Sequence, residues 1–145
     1  MILYLFTLLQ TSCTSLKSDS SNPSTVQGVE LSWYGVTSLR IRFDDHVWLL
    51  DPFFSRPNGN ALEANQQGLE TMEEFIGPTV NRIFVGHAHY DHILDAEQAS
   101  EHYNAPIYGS STSCFIINND SCNSIEHSWT DNLDGVDITA IRTPH

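Results

Sequence analysis

The sequence predicts an α/β fold. Apolar and polar residues alternate in Val29–Trp33 and again in Leu39–Phe43, which is typical of strands that bury one face. An apolar run at Ile83–Gly86, a helical pattern from about Ile93 to Tyr103 and a second apolar run at Pro106–Gly109 follow in that order. This order predicts a βαβ unit, in which parallel strands are covered by a helix. The chain is 40% hydrophobic and 10% aromatic, which is enough to build a core, and we expect one domain.

The first elements form a predicted β-meander. Val29–Trp33 and Leu39–Phe43 alternate, and Val47–Leu50 is continuously apolar after the turn Asp44–His46. Asp51-Pro52 ends the third strand, because proline cannot donate a hydrogen bond in a ladder and restrains the residue before it.

Later elements have weaker signals. Thr71–Glu74 has the spacing of a capping box and predicts a helix that begins there and that Gly77-Pro78 stops. Arg56–Gly68 is predicted to be an exposed loop, and Val136–Ile141 alternates like a strand.

The N-terminus indicates export. Met1–Leu9 is apolar but too short to span a bilayer, and small polar residues and Cys13 follow it, which is typical of a secretory leader. We therefore expect residues 1–13 to be a leader and residues 14–28 a flexible tether to a domain at residues 29–145. Three interpretations remain open: a lipobox-like site with Cys13 lipidated, an ordinary cleaved signal peptide, and an incorrectly assigned start. The first two predict a periplasmic protein or a membrane-anchored lipoprotein.

The remaining cysteines fit an oxidising compartment. Cys114 and Cys122 lie eight residues apart and could close a small disulfide loop in the periplasm. The alternative is two unrelated thiols, one of them buried with the neighbouring apolar residues 115–117. The sequence does not decide between the two.

The charge balance argues against nucleic acid as a partner. Six basic and eighteen acidic residues give a formal net charge of −12, which repels a phosphate backbone. We expect a small-molecule substrate instead.

The densest chemical signal is His87-Ala88-His89-Tyr90-Asp91-His92, which directly follows an apolar run. Imidazole nitrogen and carboxylate oxygen are ligands that zinc, iron and manganese accept, whereas calcium or magnesium would not need imidazoles. The predicted strand before the motif and the predicted helix after it would hold the ligands rigidly. The alternative is a chance cluster in a chain with seven histidines.

This H-x-H-x-D-H motif after a strand resembles the metal-binding signature of the metallo-β-lactamase-fold hydrolases. The resemblance implies that His87 and His89 bind one metal, Asp91 and His92 bind a second, and a hydroxide between the metals is the nucleophile. A third histidine that follows a later strand completes the first site in that family, and His145 fits this role. Zinc is the first expectation for both metals, with manganese or iron as alternatives. Asp91 is also the expected catalytic residue, because it can orient the water or carry its proton.

Two further segments are similar to one branch of that family, which includes ascorbate-6-phosphate lactonase-like and N-acyl-phosphatidylethanolamine phospholipase D-like enzymes. They are Trp33–Leu39 and Leu49–Phe54. The resemblance implies that Asp51 ends a strand beneath the metals and hydrogen-bonds to their ligands; the alternative is a turn aspartate before proline. Val36 stands where the branch often has histidine. Three other histidines match no ligand position: His46, His102 and His127.

The family fold is a four-layer αβ/βα sandwich of two similar halves, and residues 29–145 would form its N-terminal half. A bridging aspartate and a last histidine would then lie beyond His145, so we expect a piece of a longer gene product that is inactive alone. The inner face of such a half would expose, among others, Leu31, Trp33, Ile83 and Val85.

The expected function is an exported metallohydrolase that acts on an ester, lactone, amide or small phosphodiester through a metal-bound hydroxide. The alternatives are a phospholipase D-like lipid hydrolase and a non-catalytic metal-binding domain of the same fold.

Overall fold

A computed structural model of the protein describes residues 28–56 and 63–141. A six-stranded sheet of order β1-β2-β3-β4-β5-β6 and a two-stranded hairpin, β7-β8, carry the described part of the chain. The elements in chain order are β1 Val29–Trp33, β2 Leu39–Phe43, β3 His46–Leu50, α1 Gln66–Ile76, β4 Arg82–Val85, α2 Tyr90–Ile93, α3 Ala96–Tyr103, β5 Ile107–Gly109, α4 Ser111–Ile117, β6 Cys122–Ser124, β7 Thr130–Leu133 and β8 Val136–Thr139.

The large sheet changes direction at its middle. β1, β2 and β3 form the predicted antiparallel meander, with Trp33 opposite Leu39 and Phe43 opposite His46. From β3 to β6 each neighbouring pair is parallel, and the prediction of a βαβ unit is confirmed. The carboxyl ends of β3, β4 and β5 therefore meet at one edge of the sheet, where the segments that follow them can share a site.

One face of the sheet packs against the helices. Leu49, Ile83 and Ile107 of the sheet and Met72 of α1 are each 0% exposed and belong to one cluster. Burial of each such side chain contributes about 1.5–3 kcal/mol. The expectation that Ile83 and Val85 lie on an exposed inner face was wrong, because both point toward the helical layer and are buried.

The opposite face is only partly covered. Leu31 and Trp33 are 67% and 70% exposed, as expected. Toward the middle of this face, Phe43, Trp48 and Leu133 form a second buried cluster beneath the β7-β8 hairpin. The hairpin thus covers the central strands on this side, whereas β1 is left open.

An ion pair attaches the hairpin to the sheet. Asp134 lies in the turn between β7 and β8 and accepts hydrogen bonds from Arg82 Nε and Nη2, both at 2.7 Å, and from Trp48 Nε1 at 2.9 Å. The hydrogen bonds from Arg82 hold the pKa of Asp134 below its usual value, and those to Asp134 raise the pKa of Arg82. A charged and mostly buried contact therefore joins the start of β4 to the hairpin.

Helix boundaries differ from the predicted ones for local reasons. α1 begins at Gln66, not at Thr71, because the side chain of Asn65 caps Gly68 N at 2.9 Å. Gly68 is buried inside this helix, so the predicted loop ends earlier than expected; a Cβ there would come within 2.1 Å of Ser55 Oγ. The helix stops at Gly77, which has a φ of 96°, as Gly77-Pro78 predicted.

The helix predicted from about Ile93 to Tyr103 is α3, which begins at Ala96 and ends at Tyr103 as predicted. A separate short helix, α2, occupies Tyr90–Ile93 in the stretch that was predicted to be a loop. The break between the two helices is at Asp95, whose backbone N–H donates to Pro52 O at 3.3 Å.

A disulfide joins Cys114 of α4 to Cys122 of β6, which settles the question that the sequence left open. Of the apolar neighbours, Phe115 and Ile116 are exposed and only Ile117 is buried.

Cys13, the leader and His145 lie outside the described residues. Within residues 28–56 and 63–141, every helix is too short or too polar to cross a bilayer.

Candidate metal centre

The candidate site lies at the carboxyl edge of β3 and β4. Asp51 directly follows β3, and Gly86 to His89 connect β4 to α2. Because these strands are parallel neighbours, with Leu50 opposite Phe84, their following residues emerge side by side. The sheet thus brings together residues that lie 35 or more positions apart in sequence.

The three motif histidines form one cluster. The ring centroids of His87 and His89 lie 4.0 Å apart, and those of His87 and His92 lie 5.4 Å apart, both pairs edge to face. The chain turns into α2 at this point, with the N–H of His92 donating to His89 O at 3.0 Å. A short strand and one helical turn therefore place the imidazoles of His89 and His92 on either side of contacts with His87.

Asp51 connects the two ends of the motif. Its Oδ1 accepts a hydrogen bond from Gly86 N at 2.7 Å, and its Oδ2 lies 3.0 Å from His92 Nδ1. Gly86 permits this approach, because a Cβ there would be 3.3 Å from Asp51 Oδ2. The backbone of Asp51 has a φ of 46°, a left-handed conformation that aspartate and asparagine tolerate better than most residues.

The other nitrogen of His92 faces Asp91. Nε2 of His92 lies 3.9 Å from Asp91 Oδ2. Nδ1 is buried and makes no well-aligned hydrogen bond, so its approach to Asp51 is an electrostatic contact. With its proton on Nδ1, His92 has a lone pair on Nε2 that can bind a metal, and this nitrogen lies on the side of Asp91.

Two residues without a predicted role hold these segments in place. Asp95 is 0% exposed, and its carboxylate accepts hydrogen bonds from Phe54 N at 2.6 Å, Ser55 N at 2.8 Å and the Ser55 hydroxyl. Ser38, also 0% exposed, donates from Oγ to Asp51 O at 2.9 Å. Asp95 gave no signal in sequence, because an aspartate near a helix start is ordinarily a solvent-exposed cap.

The placement of the predicted ligands is mixed. His87, His89, Asp91 and His92 lie in one cluster, with Asp51 against it, whereas His145 is outside the described residues. As placed, no three histidine, cysteine, aspartate or glutamate side chains in the described part of the chain are arranged to share one metal ion. The donor types suit a borderline transition metal, since they combine imidazoles with a carboxylate.

The histidines outside the motif lie elsewhere. His46 is 3.8 Å from Asp134 on the hairpin face, and His102 Nε2 is 2.9 Å from Glu73 Oε1 between α3 and α1.

Comparison with known proteins places the chain in a family. The sequence profile described as the metallo-beta-lactamase superfamily matches residues 31–124, more than half of the chain. A UPF0173 metal-dependent hydrolase of Haloarcula marismortui is 33% identical over 70 residues, which cover 48% of this chain and 24% of that protein. A second UPF0173 metal-dependent hydrolase, from Roseobacter denitrificans, is 32% identical over 81 residues, 56% of this chain and 32% of that protein.

A solved structure supports the fold. Igni18, a metallo hydrolase from Ignicoccus hospitalis, superposes with a TM-score of 0.56 at 18% identity and covers 73% of this chain and 43% of its own. The matched part of this chain spans about a quarter to a third of the length of the two curated relatives.

Proposed function

Because the chain belongs to the metallo-beta-lactamase superfamily, we propose that the protein is an exported metal-dependent hydrolase. Its substrate would be an ester, lactone, amide or small phosphodiester. The observation that carries the proposal is the contact of three imidazoles at the carboxyl edge of the sheet, with Asp51 beside His92. Two matched relatives bear the name of metal-dependent hydrolases.

His87 and His89 would hold one metal together with His145, and Asp91 and His92 would hold a second. Zinc is the first choice, and manganese or iron suits the same donors. The metals would supply Lewis acidity, which lowers the pKa of water toward about 7 and polarises the scissile carbonyl or phosphoryl group. The site is thereby suited to hydrolysis near neutral pH.

Each remaining residue has a role that its contacts support. Asp51 would fix the ring of His92, because its carboxylate lies beside Nδ1 and thereby favours the tautomer that has its proton on Nδ1 and a lone pair on Nε2 for a metal. Asp91, in the first turn of α2, would orient the attacking water or carry its proton as well as bind metal.

The net charge of −12 supports a small substrate over a nucleic acid. The disulfide between Cys114 and Cys122 is the bond that export to an oxidising compartment would favour. Lipidation of Cys13 would add a membrane tether. If this lipidation were found, it would favour a phospholipase D-like activity, because the tether would hold the site beside membrane lipids.

Metal content tests the centre. The full-length gene product should contain about one to two transition metals per chain, and His87→Ala should lose at least one. His127→Ala, an exposed histidine that matches no ligand position, serves as the matched control and should keep the wild-type content. Equal metal content in the two variants would refute the assignment.

Turnover then identifies the substrate class. Esters, lactones, phosphodiesters, β-lactams and N-acyl phospholipids should each be offered to the full-length gene product loaded with zinc, manganese or iron. Hydrolysis of a soluble substrate supports the main proposal, and hydrolysis confined to phospholipid vesicles supports the lipid hydrolase. Stoichiometric metal without any turnover would indicate the non-catalytic metal-binding domain.

A further inference from the structure

The turn between β1 and β2 is hydrogen-bonded to the two carboxylate residues of the candidate centre, Asp51 and Asp91. It is closed by hydrogen bonds from Tyr34 N to Ser38 O at 3.0 Å and from Ser38 N to Gly35 O at 3.1 Å. The hydroxyl groups of two adjacent residues in this turn point in different directions. Thr37 Oγ1 donates to Asp91 O at 2.6 Å, whereas Ser38 Oγ donates to Asp51 O at 2.9 Å. One turn is therefore bonded to the backbone of both site carboxylates.

The carbonyl that Thr37 reaches has lost its helical partner. In an uninterrupted helix, Asp91 O would accept from the N–H of Asp95, four residues later. Here Asp95 N donates to Pro52 O at 3.3 Å, at the break between α2 and α3. The hydroxyl of Thr37 takes the place of that N–H, so that the residue bearing the site carboxylate is held from outside its own helix.

The turn carries backbone strain at the residue next to Thr37. Val36 has a φ of 49° and is 53% exposed. A β-branched residue in this region is an outlier that persists where the surrounding contacts determine the conformation. The side-chain hydrogen bonds of Thr37 and Ser38, together with the one from Trp33 Nε1 to Val36 O at 3.3 Å, hold this turn in place.

We propose that Thr37 is a positioning residue: its hydroxyl fixes the first turn of α2 and thereby the direction in which Asp91 presents its carboxylate to metal. This inference rests on the proposed function for its metal, but the hydrogen bond can be tested without one. Residues that orient metal ligands through one intervening contact typically change metal affinity by about 10- to 100-fold when removed.

The test compares three variants. Thr37→Val removes the hydroxyl and keeps the side-chain shape, and Thr37→Ser keeps the hydroxyl. Thr71→Val is the matched control, because Thr71 Oγ1 donates to a backbone carbonyl in the same way, to Gln67 O at 2.7 Å, within α1.

Two measurements are made on each variant. Hydrogen exchange of the Ile93 and Leu94 amides, which bond to His89 O and Tyr90 O in α2, is followed in metal-free protein. Affinity for the weaker-bound zinc is measured by chelator competition. Thr37→Val should exchange about tenfold faster and bind this zinc about 10- to 100-fold more weakly, while Thr37→Ser and Thr71→Val should match the wild type.

Each outcome decides between the claims. Wild-type exchange and zinc affinity in Thr37→Val would overturn the positioning role, as would an equal loss in Thr71→Val. Faster exchange with unchanged affinity would overturn it too, since the hydroxyl would then stabilise only α2. If the wild type binds no zinc, manganese or iron, the proposed function fails, and the positioning of a metal ligand falls with it for that separate reason.

Discussion

Substitution of Asp134 by alanine should cost the protein a large share of its stability. The change removes the acceptor of two hydrogen bonds from Arg82 and one from Trp48. Arg82 and Asp134 have side chains that are only 20% and 14% exposed, so water replaces the lost partner poorly.

The magnitude follows from the groups left behind. Hydrogen bonds to a charged group contribute about 1.5–3 kcal/mol each, and an unsatisfied buried donor costs about 1–3 kcal/mol. These two contributions overlap, and water reaches part of the guanidinium. We therefore expect the free energy of unfolding to fall by about 3 kcal/mol. At about 4 °C per kcal/mol for a domain near 100 residues, the melting temperature should fall by about 12 °C.

The assay is thermal unfolding followed by circular dichroism at several pH values. Asp137→Ala is the control: Asp137 lies on the same hairpin, is exposed, and accepts one hydrogen bond, from Asn132 at 2.7 Å. It should lower the melting temperature by no more than about 2 °C, as expected for a surface substitution.

The pH dependence has a definite sign. The pKa of Asp134 is lowered in the folded protein, chiefly by the hydrogen bonds from Arg82. Its contribution is therefore complete above the ordinary aspartate pKa of about 4 and is lost as the pH falls through the folded value. The difference between wild type and Asp134→Ala should shrink in acid. A melting temperature equal to that of Asp137→Ala, or a difference that grows in acid, would refute this reasoning.

Four other predictions concern single features. Val36→Asn should raise the free energy of unfolding by about 1 kcal/mol in denaturant titrations, because asparagine tolerates positive φ; a lower value would contradict the strain. Replacing Cys114 and Cys122 together by serine should cost about 2 kcal/mol in the same titration. Burial raises the pKa of Tyr103 to about 12, so the ultraviolet difference between wild type and Tyr103→Phe should titrate near that pH, and Tyr103 should lose its stabilising contribution as the pH rises above about 10. Cys13→Ser should release the protein from bacterial membranes, and mass spectrometry of an unmodified wild-type N-terminus would exclude lipidation.

The sequence predicted those parts of the fold whose signal is local. Alternation defined β1 and β2, and Gly77-Pro78 marked the end of α1 correctly. It did not reveal that Ile83 and Val85 face the helices, because a continuously apolar strand has no preferred side. It also did not reveal α4, since Ser111–Ile117 has polar and apolar residues without a helical period long enough to recognise.

The candidate site divides in the same way. The H-x-H-x-D-H spacing placed His87, His89 and His92 in one loop and turn, where the structure has them in contact. Nothing local shows that Asp95 binds the segment after Asp51, or that Thr37 reaches Asp91 O, because these bonds join residues 40 and 54 positions apart. The metal-binding roles stay predictions until the metal is measured.

Asp51 is subject to two unrelated demands at one position. Its backbone has a φ of 46°, which glycine, asparagine and aspartate accept readily. Its side chain must also accept from an amide on one oxygen while the other faces an imidazole nitrogen, which glycine cannot do and asparagine can do only without the charge. Aspartate is therefore the residue that combines the backbone conformation with a negative charge beside the imidazole. Asp51→Asn is thus an electrostatic experiment at constant shape, whereas Asp51→Ala would change the chain direction and the charge at once.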